Sequence, residues 1–204
     1  ADKKGQHRKS EWCKWIDDNW MTIGWAQFYK RDFKGALEKF EYVEQQYNTE
    51  SISYEAIFWQ AKILTETEEF DSAEELLLDL LTKKEELDEL LKKEEEKAAR
   101  EKKKKKKKGK KKKKKNQKAG KDKDKKKIPD FPDDLEFKIY PSLADIYLRK
   151  NETKKAIEML TKSIETKQKK RFKTRLTFIL AQLYHKLGRN EASDLYDIVV
   201  KKTN

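Results

Sequence analysis

One recurrence constrains this chain more than anything else in it. Ala36, Ala73, Ala156 and Ala192 each sit in an apolar stripe of helical period, and they stand 37, 83 and 36 residues apart. The stretch from Trp20 to Tyr47 shows the unit. Trp20, Ile23, Gly24 and Gln27/Phe28 share one helical face, Lys30 to Asp32 form a short polar turn, and Phe33, Ala36, Leu37, Phe40 and Val43 share the face of a second helix. Gly24 and Ala36 are small where the two helices cross, so the backbones can approach, and Trp20 and Phe40 fill the space beside them. A lone hairpin of this size cannot bury such a stripe in water. The spacing therefore predicts an array of hairpins, each covering its neighbour.

The other copies follow in order. The second carries Ile57, Ala61 and Leu64 on its first helix, a turn over Thr65 to Glu69, then Phe70, Ala73, Leu77 and Leu80. The third has Tyr140, Leu143, Ala144 and Tyr147, followed by Ala156, Ile157 and Leu160. Pro141 cannot donate within a helix, so it is expected in the opening turn, with the helix starting near Tyr140. The fourth has Leu180, Ala181 and Tyr184, Gly188 as a helix stop, then Ala192, Tyr196 and Val199. Residues 1–14 read as a tail or linker, 15–82 as repeats one and two, and 128–204 as repeats three and four. Trp12 and Trp15 share a helical face and are expected to pack on the first hairpin or on an upstream repeat.

Between copies two and three, residues 83–101 continue as a charged helical extension supported by i,i+4 Glu and Lys pairs. Residues 102–127 hold 19 Lys against 2 Asp and almost nothing apolar, which predicts a disordered insert. Order resumes at 128–134, where Pro129 and Pro132 disfavour helix before them and Asp133 or Asp134 can cap the helix that follows.

Composition supports helices: 44% of residues are charged, 35% are hydrophobic, and there are only 6 Gly and 3 Pro. The fold class expected is all-α, with about four hairpins and one interruption. The net charge of +13 is smaller than the +17 of residues 102–127 alone, so the rest of the chain is mildly acidic at −4. Basicity belongs to one segment. Cys13 is the single cysteine, which excludes a disulfide within the chain. No apolar run approaches a membrane span. No signal peptide is visible, and a first residue of Ala1 fits an internal or processed piece of a longer protein.

The sequence offers catalysis little. His7 and His185 are too few and too far apart to suggest a metal site, and the glycines are scattered singly rather than forming a phosphate loop. Asp17/Asp18 and Asp133/Asp134 fall where helices begin, and the helix dipole accounts for them. No enzyme, cofactor or metal is expected.

The period, the small residue on the first helix and the Ala and aromatic or Leu on the second resemble the tetratricopeptide repeat. The likeness rests on Trp20/Ile23/Gly24/Phe28/Ala36/Phe40 and on Leu143/Ala144/Tyr147/Ala156/Leu160, without the closing Pro of most such repeats. It implies a right-handed solenoid that binds proteins through first-helix positions off the packing stripe. Those are Met21, Trp25 and Phe28 in copy one, Phe58 and Lys62 in copy two, Asp145 and Leu148 in copy three, and Phe178, Gln182 and His185 in copy four. Trp25, Phe58 and Phe178 stand out as hot-spot residue types, with packing between repeats as the other reading.

A narrower likeness is carried by KWIDDNWMTIGWAQFYKRDFKGALEKFEYVEQQY, by SLADIYLRKNETKKAIEMLTKSIE and by RLTFILAQLYHKLGRNEASDLYDIVV. These resemble the repeat region of the SprE/PorW lipoprotein family of the Bacteroidota type IX secretion and gliding machinery. That implies the periplasmic face of the outer membrane, secretion and motility proteins as partners, and a lipid anchor upstream of Ala1 rather than on Cys13. Apart from it, the expectation is a cytoplasmic adaptor. The Lys-rich insert reads as a solvated spacer, or as an attachment to lipid headgroups, wall polymer or nucleic acid. Base-specific recognition is disfavoured, since no aromatic or Arg lies within 102–127.

Overall fold

The computed structural model describes residues 16–108, 130–166 and 169–203. Among them are eight helices and no strand: α1 (Ile16–Tyr29), α2 (Phe33–Gln46), α3 (Ile52–Glu66), α4 (Phe70–Lys108), α5 (Glu136–Arg149), α6 (Thr153–Glu165), α7 (Lys170–Lys186) and α8 (Glu191–Thr203). They form four hairpins, α1/α2, α3/α4, α5/α6 and α7/α8, and each hairpin packs on the next through α2 on α3, α4 on α5 and α6 on α7. The first, or A, helices also touch in series, α1 against α3 and α3 against α5. The predicted all-α hairpin array is the observed fold. Trp12, Cys13 and Trp15, and the readings attached to them, lie outside the described residues.

Each hairpin is closed by the same backbone device. Arg31, Glu68, Asn151 and Gly188 have φ of 63°, 67°, 61° and 66°, the left-handed conformation that reverses a chain at a helix end. The following amide in each case reaches back across the last turn: Asp32 N–H to Gln27 C=O at 2.9 Å, Glu69 to Leu64 at 2.8 Å, Glu152 to Tyr147 at 2.7 Å and Arg189 to Tyr184 at 2.9 Å. In the first hairpin the Asp32 carboxylate then accepts from the Gly35 N–H at 3.0 Å and caps α2. Inside that hairpin the crossing is close enough that a Cβ on Gly24 would stand 2.6 Å from Phe40 Cε1.

Two helix boundaries differ from expectation. Helix α5 begins at Glu136 rather than near Tyr140, so Pro141 lies inside it. Pro141 has no N–H for the carbonyl of Phe137, four residues earlier, and that carbonyl instead receives the hydroxyl of buried Ser163 from α6. Helix α4 was expected to give way to a disordered insert after Glu101, yet it runs to Lys108. Lysine is a good helix former, and adding residues to an existing helix avoids the cost of a new nucleus. The remainder of the Lys-rich stretch, 109–127, lies outside the described residues.

The array continues across the insert. One core runs from Tyr54, Ile57, Phe58, Ala73 and Leu77 of repeat two through Leu135, Ile139 and Leu143 of repeat three to Leu176 and Leu180 of repeat four. Phe131 ties the chain after the insert to α3, its ring 5.1 Å from that of Tyr54. A second core, Met21, Ala36, Phe40, Val43 and Tyr47 with Ala56 and Ile63, joins repeats one and two.

Candidate protein-binding surface

The A helices carry equivalent residues at equivalent places. Trp25, Lys62, Asp145 and Gln182 each follow the small residue of their helix, which is Gly24, Ala61, Ala144 and Ala181. One turn later come Phe28, Thr65, Leu148 and His185, and then Tyr29, Glu66, Arg149 and Lys186. Aromatic rings dominate this face in repeat one, ion pairs dominate it in repeats two and three, and exposed polar groups dominate it in repeat four.

The aromatic end is built around Trp59. Its ring lies 6.0 Å from Trp25, 5.3 Å from Phe28, 6.4 Å from Tyr29 and 6.1 Å from Phe40, with the last pair stacked. Trp25 and Phe28 are half-buried by these contacts, so they share the two roles foreseen for them, packing between repeats while keeping part of each ring at the surface. The indole N–H of Trp25 is enclosed, with no acceptor among the described residues. Tyr29 stands at the rim, 74% exposed. Neither Trp59 nor Tyr29 is marked by the repeat pattern. The signal available was Phe58-Trp59 itself, two adjacent large rings on an A helix, of which only one can follow the inward stripe.

In the middle of the face the charges are satisfied by one another. Arg149 meets Glu66 at 3.5 Å and Asp145 at 3.3 Å, and Glu66 meets Arg31 at 3.8 Å, so three repeats are linked edge to edge. Asp145 is therefore engaged within the chain, Lys62 is half-buried, and Leu148 leans on the central core. Behind this row, Glu74 of α4 accepts from the Tyr147 hydroxyl at 2.8 Å and from Lys150 Nζ at 2.7 Å, and Asp71 accepts from Lys150 at 2.7 Å. Burial and the Glu74 carboxylate push the Tyr147 phenol up to about 12. Burial alone would raise the Glu74 carboxyl, but the hydrogen bonds from Lys150 and Tyr147 outweigh it and hold the carboxyl below its ordinary value.

Two predicted contact residues are corrected. Met21 is 1% exposed and Phe58 6%, so neither faces a partner. Met21 sits in the core shared with Ala56 and Ile63 of α3, and Phe58 in the core shared with α5. An A helix is covered on two sides, by its own second helix and by the A helix of the next repeat, so its buried arc is wider than a single stripe. The opposite error is Ile23, placed on the buried stripe but 43% exposed, because among the described residues no helix precedes α1. Phe178, Gln182 and His185 are all exposed, and the Phe178 ring and His185 lean on Tyr196 of α8 at 5.9 and 6.4 Å.

A second concavity, about 900 Å³, lies where the α4 extension passes the start of α5 and α7, with Leu87, Leu91, Phe131 and Phe172 in its walls. Three of its acidic residues are paired: Lys84 bridges Asp88 at 2.7 Å and Glu136 at 3.2 Å, and Lys138 meets Asp134 at 2.5 Å. No group of three or more His, Cys, Asp or Glu among the described residues is placed to hold a metal ion. No described helix is long and apolar enough to cross a membrane.

Residues 137–170 match the tetratricopeptide repeat family. The matched segment begins one residue into α5, spans α6 and ends at the first residue of α7, so it covers one hairpin of the four. Hairpins one, two and four share its left-handed turn and its small-residue spacing. No curated protein matches the chain. Repeats of this family commonly serve as scaffolds for contacts between proteins.

Proposed function

We propose that the chain is a non-enzymatic scaffold that binds other proteins through its A-helix face, and that it works in the type IX secretion and gliding machinery at the periplasmic face of the outer membrane. The observation that carries the binding reading is the gradient along that face. It runs from partly exposed Trp25, Phe28 and Tyr29, through a closed ionic row, to exposed Gln182 and His185. Aromatic side chains with one surface held by packing and one open to solvent anchor protein interfaces at low entropic cost. The setting is supported by the three sequence stretches that resemble the SprE/PorW repeat region.

The test is co-purification of the parent protein's partners from a cell-envelope fraction, with the wild-type chain beside a Tyr29→Ala/Phe28→Ala variant. Secretion or motility proteins recovered by the wild type and lost by the variant support the proposal. Recovery of nucleic-acid proteins alone defeats the secretion setting, and undiminished recovery by the variant removes the aromatic face.

One observation favours a second reading, an adaptor tethered to an anionic surface: the whole positive excess of the chain lies in residues 102–127. Near an anionic membrane each Lys contributes about 1 kcal/mol. Binding to a polyacid resin that disappears both at high salt and on deletion of 102–127 supports the tether.

A further inference from the structure

The A-helix face changes sign along the array. Counted from the small residue of each A helix, Gly24, Ala61, Ala144 or Ala181, the positions six before, two before, one after and five after share one side of the helix. Six before it stand Asp18, Glu55, Lys138 and Arg175, and five after it stand Tyr29, Glu66, Arg149 and Lys186. Both rows turn from acidic to basic between repeats two and three. The two middle rows add only Lys62 and Asp145 to the charge, which oppose the trend without reversing it. Repeats one and two therefore carry three carboxylates against one lysine on this side, and repeats three and four carry four cations against one carboxylate.

The fold brings these rows together in space. Arg149 meets Glu66 at 3.5 Å in one row, and in the other Glu55 lies within electrostatic reach of Asp18 on one side and Lys138 on the other. Burial pushes the Glu55 carboxyl up. Lys138 opposes this, as does the hydrogen bond from the Trp59 indole, while Asp134 and Asp18 add to it, and the carboxyl stays above its ordinary value. Lys138 is itself held by Asp134 at 2.5 Å, so the cation nearest Glu55 is shared with a second carboxylate. Beside Glu55, the Trp59 ring lies 6.0 Å from Trp25 and 6.4 Å from Tyr29. Carboxylates next to partly open aromatic rings attract Lys or Arg. At the other end of the face Lys186 is exposed and attracts the opposite charge.

We infer that the A-helix face takes a linear segment of a partner protein whose charge is divided into two blocks. One block carries Lys or Arg with an aromatic or aliphatic anchor and lies on Asp18, Glu55, Trp25 and Tyr29; the other carries Asp or Glu and lies on Arg149 and Lys186. This rests on the A-helix face being the binding surface and adds the charge order of what it binds. Residues 102–127 of the chain itself match half of this pattern at most, since they supply 19 Lys but only 2 Asp and no apolar side chain larger than Ala119.

The experiment uses the full chain and two fluorescently labelled peptides of identical Lys, Glu and Trp composition. In one, the Lys and Trp form one block and the Glu another; in the other, the charges alternate along the peptide. In about 0.1 M salt the blocked peptide is expected to bind about tenfold more tightly, because several exposed ion pairs form together. Asp18→Lys and Lys186→Glu, both at exposed positions, are each expected to reduce that preference severalfold, and Asp18→Lys/Glu55→Lys to abolish it, in chains whose circular dichroism matches the wild type. The Lys-rich segment is unchanged in all of them, so a preference that it caused would survive these substitutions, and survival overturns the inference. Equal binding of the two peptides that is lost in Tyr29→Ala/Phe28→Ala overturns the charge order and leaves the face as the binding surface. Equal binding that is undiminished in that variant, or no binding of either peptide, overturns both.

Discussion

The hydroxyl of Ser163 on α6 donates to the carbonyl of Phe137 on α5 at 3.5 Å, and Phe137 is the residue whose intrahelical partner would have been the N–H of Pro141. A proline inside a helix is thus accommodated by a side chain from the neighbouring helix. Ser163 is fully buried and cannot be replaced there by water without opening the α5/α6 contact. Ser163→Ala is expected to cost about 1–2 kcal/mol, the penalty for a buried carbonyl left unpaired. In a Pro141→Ala background the restored N–H serves Phe137, so the same serine change costs less. A urea double-mutant cycle measures this as a coupling of about 1 kcal/mol. Strict additivity of the two substitutions would show that the hydroxyl serves some other purpose.

The four left-handed turn residues differ in what they sacrifice. Glu68 adopts φ 67° with a side chain that makes no ion pair among the described residues, whereas Gly188 adopts φ 66° with open space around a would-be Cβ. A non-glycine residue in this conformation costs roughly 1 kcal/mol. Glu68→Gly is therefore expected to stabilise by about 0.5–1 kcal/mol, a rise in Tm of a few degrees for a chain of this size. Gly188→Ala is expected to lose a similar amount through backbone strain alone. Paired melting curves decide it, and shifts of the same sign would exclude the conformational explanation.

Much of this fold was legible in the spacing of four alanines, because a hairpin that must pack against copies of itself repeats its small residues at a fixed period. The turns at Lys30 to Asp32 and Thr65 to Glu69 were legible as polar stretches, but of the left-handed residues only Gly188 was marked in advance. Arg31 and Glu68 take the same left-handed conformation with nothing in their side chains to announce it, since what places them there is the length of the turn between two packed helices. Faces were harder than elements. The stripe Trp20, Ile23, Gly24 and Phe28 fixes the helical period but not how wide an arc the neighbours cover, and so Met21 and Phe58 were assigned to the open side. Trp59 was missed because its value is relational: its ring meets Trp25, Phe28, Tyr29 and Phe40 only once α3 is laid against the first hairpin.

Gly24 shows the same dependence on a neighbour. On propensity alone, Gly→Ala in a helix interior gains about 1 kcal/mol. Here the new Cβ would meet Phe40 Cε1 at 2.6 Å, and Phe40 is fully buried, so the ring has nowhere to swing. Gly24→Ala is expected to destabilise by about 1–3 kcal/mol, as overpacked cores do. Adding Phe40→Leu should recover part of the loss, and chemical denaturation of the three variants compares them. A Gly24→Ala chain more stable than wild type would mean that α1 and α2 are not held as close as this.

The cluster of Asp71, Glu74, Tyr147 and Lys150 makes the joint between repeats two and three sensitive to pH at both ends. Hydrogen bonding to Lys150 holds the Asp71 carboxyl below its ordinary 3.8, and Glu74 is held below 4.5 by Lys150 and Tyr147 against the effect of burial. Groups with lowered values stabilise the fold above their unfolded range, and that contribution is lost as pH falls through the folded values. Tyr147 is raised from 10.0 to about 12, and Lys150 is raised by its hydrogen bonds to Asp71 and Glu74. Their contribution is present below pH 10 and is lost as pH rises through the folded values. Glu74→Gln is expected to cost about 1 kcal/mol at neutral pH, since the cluster is partly solvated. It should also flatten both arms: stability should fall less below pH 4.5, where the carboxylate no longer takes up a proton, and less above pH 10, where Tyr147 no longer faces an anion. Urea midpoints measured from pH 3 to pH 11 test this, and parallel profiles for the two proteins would place the pH sensitivity elsewhere in the array.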